Sequence, residues 1–354
     1  MRRSSIILLA VGVVLLAAAG VVRFAVYPDV NQLPSDYDRT ATYSGTGTFL
    51  NPAAVASGNA ANALLANQRI TVTRHAKVTS TSGSTAVVSD DITGKLSNGT
   101  TVLSDNHVWA IDRKSMYAAP APQGSTVDPH EGITIGFPIG VEPRDYTFWD
   151  TSTEQAVPAG FQRTESYRGR AATVFTVNAS GRVKDPKLLA GLPSSLPAAS
   201  LGSVASLLPP NVQTLLKNLG SPLPAALPLA YTSETKITGW IDTGTGLPLN
   251  VQQQQTVTAN LSLAGATQPL LPVLADSIEN TNASINQAVH DATTAGVALT
   301  LIGVTVPLVL LILGVLLIAL GLFLQFRRRR PAAAASTAPS DDSAGFDAPD
   351  PPSA

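Results

Sequence analysis

The chain has 354 residues, of which 13% are charged, with 23 Lys and Arg against 24 Asp and Glu and no cysteine. A net charge of -1 offers no positive field to a polyphosphate, which argues against nucleic-acid binding, and 44% hydrophobic residues are too many for general disorder. The lack of cysteine excludes disulfides, a thiol nucleophile, a zinc ribbon and a thioester-linked lipid anchor.

The first apolar segment follows Arg2 and Arg3 directly. Residues 6–27 are long enough to span a bilayer once Arg23 snorkels to the interface. A cleavable signal peptide is the alternative, because Ala17 to Gly20 are small residues of the kind found at cleavage sites. The length of the apolar run favours a retained membrane anchor.

The second apolar segment, residues 297–326, contains no charged residue. As a helix of about 30 residues it would be about 45 Å long, against a hydrocarbon core of about 30 Å, so it must tilt, kink or protrude. Pro307 is the predicted kink. Small residues predict close approach of the two membrane helices, at Gly303, Gly314 and Gly321 on one side and Gly12 and Gly20 on the other.

Positive residues flank both apolar segments on the sides that face the chain termini. They predict a two-pass plasma-membrane protein with residues 1–5 and the tail, residues 327–354, in the cytoplasm, and residues 28–296 as one extracytoplasmic domain. The tail is rich in Ala, Pro, Ser and Asp and is predicted to be disordered. The arginines expected to anchor the helices are Arg2, Arg3, Arg327, Arg328, Arg329 and Arg330.

The extracytoplasmic domain has mainly strand-type patterning, with β-branched or aromatic residues alternating with polar ones. Short spacing between strands predicts a mainly β fold, an antiparallel sheet or a barrel-like structure, flanked by two transmembrane α-helices. Helical spacing in residues 276–296 predicts a stalk that leads into the second span. The predicted strands are Arg39 to Phe49, Arg69 to Val78, Thr85 to Ile92, His107 to Tyr117, Tyr146 to Trp149, Arg170 to Val177, Tyr231 to Ile241 and Leu249 to Thr258.

One segment, residues 187–229, breaks the strand pattern because it is rich in Leu, Ala, Pro and Ser and poor in charge. Its prolines allow only short helices. It either packs on the sheet as part of the core, or forms an apolar cap that touches lipid or closes over an apolar ligand. In the second case the ligand-contacting residues would be Leu207, Leu208, Leu215, Leu216 and Leu219.

No motif predicts catalysis. The triplet Asp242-Thr243-Gly244 resembles the signature of aspartic proteases, but that chemistry needs two carboxylates and the triplet occurs once, so a homodimer would have to supply the second. A turn between two strands explains the same residues. We therefore predict that the protein is not an enzyme and takes no cofactor.

No spacing predicts a metal site either. The histidines, at positions 75, 107, 130 and 290, are scattered, although a site assembled from distant residues stays open. Asp90 and Asp91 with Asp105 or Asp112 could offer oxygen ligands to calcium, but they lack its loop spacing and are better explained as solvated loop carboxylates. The tryptophans, Trp109, Trp149 and Trp240, are interpreted as packing residues.

A set of motifs is distributed over nearly the whole chain: Leu33-Pro34, Arg113, Gly136-Phe137-Pro138-Ile139-Gly140, Tyr146-Thr147-Phe148-Trp149-Asp150, Phe161, Tyr167-Arg168-Gly169-Arg170, Val174-Phe175, Trp240-Ile241-Asp242, Thr245-Gly246 and the arginine-flanked terminal helix. On these motifs the chain resembles the actinobacterial membrane-protein family called porin PorA. The resemblance implies a pore. A transmembrane β-barrel needs an apolar outer face, however, and polar strands such as Gln252 to Gln255 suit a water-facing sheet, so a pore would require helices from several subunits.

The layout of two terminal helices around one large β domain is similar to that of class B scavenger receptors, without shared motifs. We therefore predict a cell-envelope membrane protein whose ectodomain binds a lipid or another hydrophobic ligand. A structural or scaffolding protein and a subunit of an oligomeric channel remain the alternatives. The expected partners are membrane lipids, a hydrophobic ligand, and either further copies of the chain or another envelope protein.

Overall fold

The computed structural model describes residues 3–57, 59–198, 209–210, 212–214, 225–263 and 266–327. The chain divides into two compact units, one holding the two terminal apolar helices and the other, Phe24–Val304, holding the β-sheet. The five leucines predicted to contact a ligand lie outside the described residues, as do Arg2 and Arg328 to Arg330.

The helices and strands have the following bounds. The helices are α1 (Arg3–Val21), α2 (Tyr27–Val30), α3 (Pro52–Ala56), α4 (Pro186–Ala190), α5 (Asn282–Thr300) and α6 (Val306–Phe326), with π-helical turns at Val22–Val26 and Leu301–Thr305 and a 3₁₀ turn at Ala60–Asn62. The strands are β1 (Asp38–Leu50), β2 (Leu64–Ser82), β3 (Thr85–Leu96), β4 (Thr101–Asp112), β5 (Tyr146–Asp150), β6 (Gln155–Tyr167), β7 (Arg170–Arg182), β8 (Ser195–Pro197), β9 (Ala226–Asp242), β10 (Pro248–Leu263) and β11 (Ala266–Asn280).

Helices α1 and α6 pack through small residues. This is expected for helices surrounded by lipid, because no hydrophobic effect drives their association there. A Cβ at Gly12 would lie 2.9 Å from the Gly314 carbonyl oxygen, and a Cβ at Gly314 would lie 2.9 Å from that of Gly12. The expected approach at Gly12 and Gly314 is therefore present. A Cβ at Gly20 would meet no described atom within 4 Å, so the expectation for that residue is wrong.

Gly314→Leu should separate α1 from α6, because the added side chain has no room beside Gly12. Overpacking of this kind costs about 1–3 kcal/mol. The chain has no cysteine, so a pair introduced at Leu9 and Gly321, where a Cβ lies 3.0 Å from Leu9 Cγ, reports helix pairing through its disulfide yield. We expect the yield to fall with Gly314→Leu and to persist with the control Gly20→Leu. Equal yields in the two variants would contradict the packing.

All neighbouring strands in the sheet are antiparallel, in the order β4-β3-β2-β1-β11-β10-β9-β7-β6-β5, with β8 beside β9. The sheet therefore consists of two meanders, β1 to β4 and β5 to β11, which are joined where β1 pairs with β11. This arrangement confirms the predicted fold class of a mainly antiparallel β domain with two apolar terminal helices.

The two edges of this curled sheet are bridged by residues 118–135, called here the strap. The Asp128 N–H donates to the Val108 carbonyl of β4 at 2.7 Å, and the Ile133 N–H donates to the Thr147 carbonyl of β5 at 2.9 Å. Backbone groups of the edge strands β4 and β5 that would otherwise be unpaired thus form hydrogen bonds with the strap. The strap gives the sheet its barrel-like closure.

Strands β6, β8 and β11 are not among the predicted strands, and the predicted stalk begins too early. Asp276 lies in β11, opposite Gln255 of β10, and α5 starts at Asn282 with the Thr281 hydroxyl accepting a hydrogen bond from the Ser284 N–H at 3.2 Å. The spacing of apolar residues over this short stretch fits both the helical and the strand period. Its backbone pairing with β10 and β1 makes it a strand.

The outward faces of the strands are polar. Exposed positions are Arg69, Thr71 and Lys77 of β2, Thr232, Glu234 and Lys236 of β9, and Gln252 and Gln254 of β10. A sheet that faced lipid would carry an apolar band at these positions. The outer surface of the β domain is therefore suited to water.

The β domain has two distinct ends. The chain enters and leaves at the near end, where β1 begins at Asp38 and β11 finishes at Asn280. The far end is where β9 begins, and there the Ala198 N–H donates to the Ala225 carbonyl at 3.0 Å. These two residues flank most of the Leu- and Pro-rich segment, so that segment leaves and rejoins the sheet at the far end.

Candidate functional site

A cavity of about 1000 Å³ lies inside the curled sheet and is lined by inward-facing side chains of both meanders. Its exposed lining residues cluster at the far end, at Asn98, Thr100 and Thr101 where β3 leads into β4 and at Ala190 and Gly191 where α4 ends. The cavity therefore opens at the far end. Its volume is at the upper limit of the range of about 300–1,000 Å³ that is typical of small-molecule sites.

Two aromatic residues, Phe137 and Phe175, form the floor of the cavity near the opposite end, and two more pack against Phe175. Phe137 stacks on Phe175 with centroids 4.6 Å apart, while Tyr146 and Phe161 meet Phe175 edge-on at 5.6 Å and 6.3 Å. These four residues are called the aromatic plug. Stacked and edge-on ring contacts are both favourable, because they suit the quadrupoles of the aromatic rings. The plug is therefore a rigid apolar surface.

A backbone lid covers the aromatic plug at the near end. The Phe137 N–H donates to the Gly246 carbonyl at 3.2 Å and the Val141 N–H to the Thr243 carbonyl at 2.9 Å. Gly246 has φ of 74°, and a Cβ there would lie 2.3 Å from the Phe137 carbonyl oxygen, so only glycine fits. The near end of the cavity is thereby closed by the turn between β9 and β10.

Asp242 holds the turn between β9 and β10 together through hydrogen bonds and an ion pair. Its Oδ1 accepts hydrogen bonds from the Thr245 N–H at 2.9 Å and hydroxyl at 2.8 Å, and Arg170 forms a two-point ion pair with it at 2.8 Å and 3.0 Å. The carboxylate is 1% exposed. These contacts support the turn interpretation over the protease one.

A buried ion pair crosses the cavity wall between β2 and β3. Arg74 donates to both carboxylate oxygens of Asp90, at 2.8 Å and 2.6 Å, and Trp109 Nε1 donates to Asp90 at 3.3 Å. Burial acts to raise the pKa of Asp90, but Arg74 outweighs it and the pKa is lowered. Asp90 is thus neither solvated nor in a loop, and Asp91 is exposed on the other face of β3. The strands do not assemble these two carboxylates into a calcium site.

Three polar residues from adjacent strands lie side by side on the cavity wall. Thr235 of β9 is opposite Gln255 of β10, which is opposite Asp276 of β11, and all three line the cavity. Gln255 Nε2 donates to Ser152 Oγ at 2.8 Å, while Thr235 Oγ1 and Asp276 Oδ1 are buried without a hydrogen-bond partner. Burial raises the pKa of Asp276 to about 7. These three residues are called the polar row.

A second polar group, the His107 cluster, consists of Asp105, His107, Asp128, Asp185 and Lys187. His107 Nε2 lies 2.9 Å from Asp105 Oδ1 and 3.9 Å from Asp185 Oδ2, and Nδ1 lies 3.1 Å from Asp128 Oδ2. Lys187 Nζ donates to Asp128 at 2.7 Å. Burial acts to lower the pKa of His107, but Asp105 outweighs it and the pKa is raised.

Sequence patterns located parts of this site. Trp109 and Trp149 are buried, in line with the packing interpretation, and both also line the cavity, whereas Trp240 is half-buried and donates to Glu165 at 2.6 Å. The polar row was missed because it depends on the register of three separate strands, and the His107 cluster was missed because Asp128 and Asp185 are distant in sequence from β4. One available signal is Asp105 and His107 at alternate positions of one strand, which places both side chains on one face.

The comparisons with known proteins bear on the chain as a whole. The family model for porin PorA matches residues 4–323. The chain belongs to the porin PorA family. With two helical segments long and apolar enough to cross a membrane, Ser4–Val30 and Asn282–Phe326, this porin PorA protein is an envelope membrane protein. Its motif residues Phe137, Arg170 and Asp242 form the closed near end of the cavity.

Two solved structures are similar to the porin PorA protein at low identity and low TM-score. A conserved hypothetical protein of Mycobacterium tuberculosis with a double hotdog fold is 10% identical, with a TM-score of 0.14 over 79% of this chain and 81% of that one. A MaoC-domain dehydratase of Chloroflexus aurantiacus is 13% identical, with a TM-score of 0.13 over 77% and 80%. No curated protein matches the sequence, and the scavenger-receptor resemblance finds no support in these comparisons.

Proposed function

We propose that the β domain is an extracytoplasmic binding domain for an amphipathic, lipid-like ligand, held inside the sheet. The cavity of about 1000 Å³ is the observation that carries the proposal. A purely structural domain would bury its inward-facing side chains against each other, since protein interiors are close-packed. A cavity of this size is instead suited to an occupant.

The chemistry of the walls supports a ligand with both apolar and polar parts. The aromatic plug and the aliphatic residues around it favour hydrocarbon. The polar row offers Thr235 Oγ1 and Asp276 Oδ1, which are buried and unpaired. Each unpaired buried polar atom costs about 1–3 kcal/mol, and a hydroxyl, amide or carboxyl group of a ligand would recover that cost by bonding there.

The proposal includes the two-pass topology with cytoplasmic termini and residues 28–296 outside. The arginines beside both apolar segments support it, because positive residues stay on the cytoplasmic side. The Leu- and Pro-rich segment, residues 187–229, departs from the far end, where the cavity opens. We propose its leucines as apolar contacts at the mouth, and we assign the protein binding and no catalysis.

A channel is the second candidate, and the family name favours it. The polar outward faces of β2, β9 and β10 do not suit a lipid-embedded barrel. Conduction would therefore have to pass between apolar helices contributed by several copies. Current recordings on the purified protein in planar bilayers test this candidate, with stepwise conductance as the result that would favour it over ligand binding.

The binding proposal is tested by native mass spectrometry of the full-length protein in mild detergent, followed by extraction and identification of bound lipid. We expect one lipid-like molecule per chain in the wild type. Ala41 lines the cavity, so Ala41→Phe should reduce occupancy several-fold by filling space. Thr40→Phe, at the adjacent exposed position of β1, should leave occupancy unchanged. A ligand-free wild-type protein, or equal occupancy in both variants, would overturn the proposal.

A further inference from the structure

We propose that Asp105, His107 and Asp185 form a binding site for a divalent transition-metal ion in the cavity wall. The site is separate from the polar row and does not depend on the lipid-like ligand. Asp105 and His107 are on β4 and Asp185 precedes α4, so two elements distant in sequence supply the ligands.

The three side chains have the spacing that one ion requires. The donor atoms, one from each residue, all lie within 4.8 Å of one another, and His107 Nε2 is 2.9 Å and 3.9 Å from the two carboxylate oxygens. Ligand atoms bonded to a common ion at about 2.0–2.2 Å are separated by about 3–4.4 Å. Small rotations of the carboxylates would therefore seat an ion among them.

The imidazole provides an independent indication that a cation belongs here. His107 is 6% exposed, and its Nε2 is buried without a hydrogen-bond partner, as is the Asp105 Oδ1 that it faces. The 2.9 Å between these two atoms does not have hydrogen-bond geometry. When the ring is neutral with its proton on Nδ1, two buried acceptor atoms face each other and repel, so that state calls for a positive species between them.

The other side of the ring is arranged as it is around metal-bound histidines. Asp128 Oδ2 lies 3.1 Å from His107 Nδ1 and also accepts from Lys187 Nζ at 2.7 Å. Nδ1 also lies 3.2 Å from Lys187 Nζ, but that ammonium is bonded to Asp128 at the shorter distance of 2.7 Å. The Asp128 carboxylate is therefore placed to hold the proton on Nδ1, which would direct the Nε2 lone pair to the ion. Trp109 stacks on the ring at 4.7 Å and fixes its plane. Asp185 is equally fixed, because its carboxylate accepts from the Lys187 N–H at 2.9 Å.

Charge favours a metal ion over a proton. The carboxylates of Asp105, Asp128 and Asp185 face the Lys187 ammonium and the imidazole, which leaves two negative charges in excess when the ring is neutral. A divalent ion balances that excess. Protonating His107 would balance only half of it and would place a second positive charge 3.2 Å from Lys187 Nζ.

The ligand set indicates the class of metal. One imidazole nitrogen with two carboxylate oxygens suits Zn²⁺, Mn²⁺ or Co²⁺, whereas Mg²⁺ and Ca²⁺ prefer oxygen ligands alone. All three ligands line the cavity, so further coordination positions face its interior. An ion there would present a Lewis acid to whatever enters from the mouth.

The test uses the full-length protein in mild detergent, stripped of metal with a chelator. Zn²⁺ is titrated by calorimetry, with and without excess Mg²⁺, and Co²⁺ by its visible absorption, which reports imidazole coordination. We expect one ion per chain, unaffected by Mg²⁺. Loss of an outer-shell partner weakens metal binding by a factor of about 10–100, and loss of a direct ligand should weaken it at least as much. We expect a loss of this size for His107→Gln and for Asp105→Asn.

His75→Gln is the matched control, because His75 Nε2 also lies 2.7 Å from a carboxylate, Asp38, but both side chains are exposed, at 39% and 47%. Asp105 is on the edge of the cluster with 16% exposure, so Asp105→Asn keeps the test valid if His107→Gln does not fold. Absence of binding in the wild type would overturn the proposal. So would equal binding in Asp105→Asn and the wild type, or equal loss in His75→Gln.

Discussion

Asp242→Ala should lower the free energy of unfolding of the β domain by about 3 kcal/mol or more. Removing one partner of a buried ion pair costs about 3–5 kcal/mol, because the other charge is left without compensation. Arg170 keeps 24% exposure, which places the expected cost at the lower end of that range. The Thr245 N–H and hydroxyl lose their acceptor at the same time.

Chemical denaturation monitored by tryptophan fluorescence measures this loss. The control is Glu142→Gln, which removes a second Arg–carboxylate pair whose side chains are 57% and 67% exposed. Exposed pairs contribute about 0–1 kcal/mol, so this variant should unfold as the wild type does. If Asp242 were instead a proteolytic residue, Asp242→Ala would abolish peptide hydrolysis and leave the unfolding curve in place, and that result would reject the structural role.

Asp276→Asn should stabilise the ligand-free protein above pH 7 and change little at pH 4. Burial raises the pKa of Asp276 from an ordinary value of 3.8 to about 7. Between these two pH values the folded chain keeps a proton that the unfolded chain releases, so stability is full below about pH 4 and falls as the pH rises through about 7. The loss amounts to about 4 kcal/mol at most.

Unfolding free energies measured between pH 4 and pH 8.5 test this sign. The wild type should lose stability across the interval, and Asp276→Asn should remove most of that loss, since an amide cannot ionise. Asp91→Asn is the control, because Asp91 is exposed on β3. A wild-type protein that gains stability as the pH rises, or an Asp276→Asn variant with the same pH dependence, would contradict the assignment.

The fold class followed from the sequence because it depends on local signals. Two uninterrupted apolar segments and the alternation of β1, β2, β3, β7, β9 and β10 are patterns within single elements. The turn at Asp242 was likewise visible as an Asp-Thr-Gly between two strands. Strand β11 was not, because Pro269 and Pro272 interrupt its alternation and its pairing with β10 has two register shifts.

The site depends on the register between strands and on contacts between residues distant in sequence, neither of which a pattern within one element encodes. The polar row exists because β9, β10 and β11 align Thr235, Gln255 and Asp276. The His107 cluster exists because the loop before α4 brings Asp185 beside β4. Spacing rules recognise metal ligands only when they lie on one element, so they find neither arrangement.

The order of the strands has a consequence for how the chain reaches its native state. Strand β1 pairs with β11, and Tyr43 lies opposite Asn280. The first strand to be synthesised therefore cannot form this pairing until the last strand has been synthesised. Until then β1 has an unpaired edge, which is a site for wrong pairing, and contacts so distant in sequence form slowly. Asp276 is itself on β11. A chain that stops before residue 266 therefore has neither a complete wall nor a polar row, so the ligand binding proposed above would require that synthesis of the whole sheet has been completed.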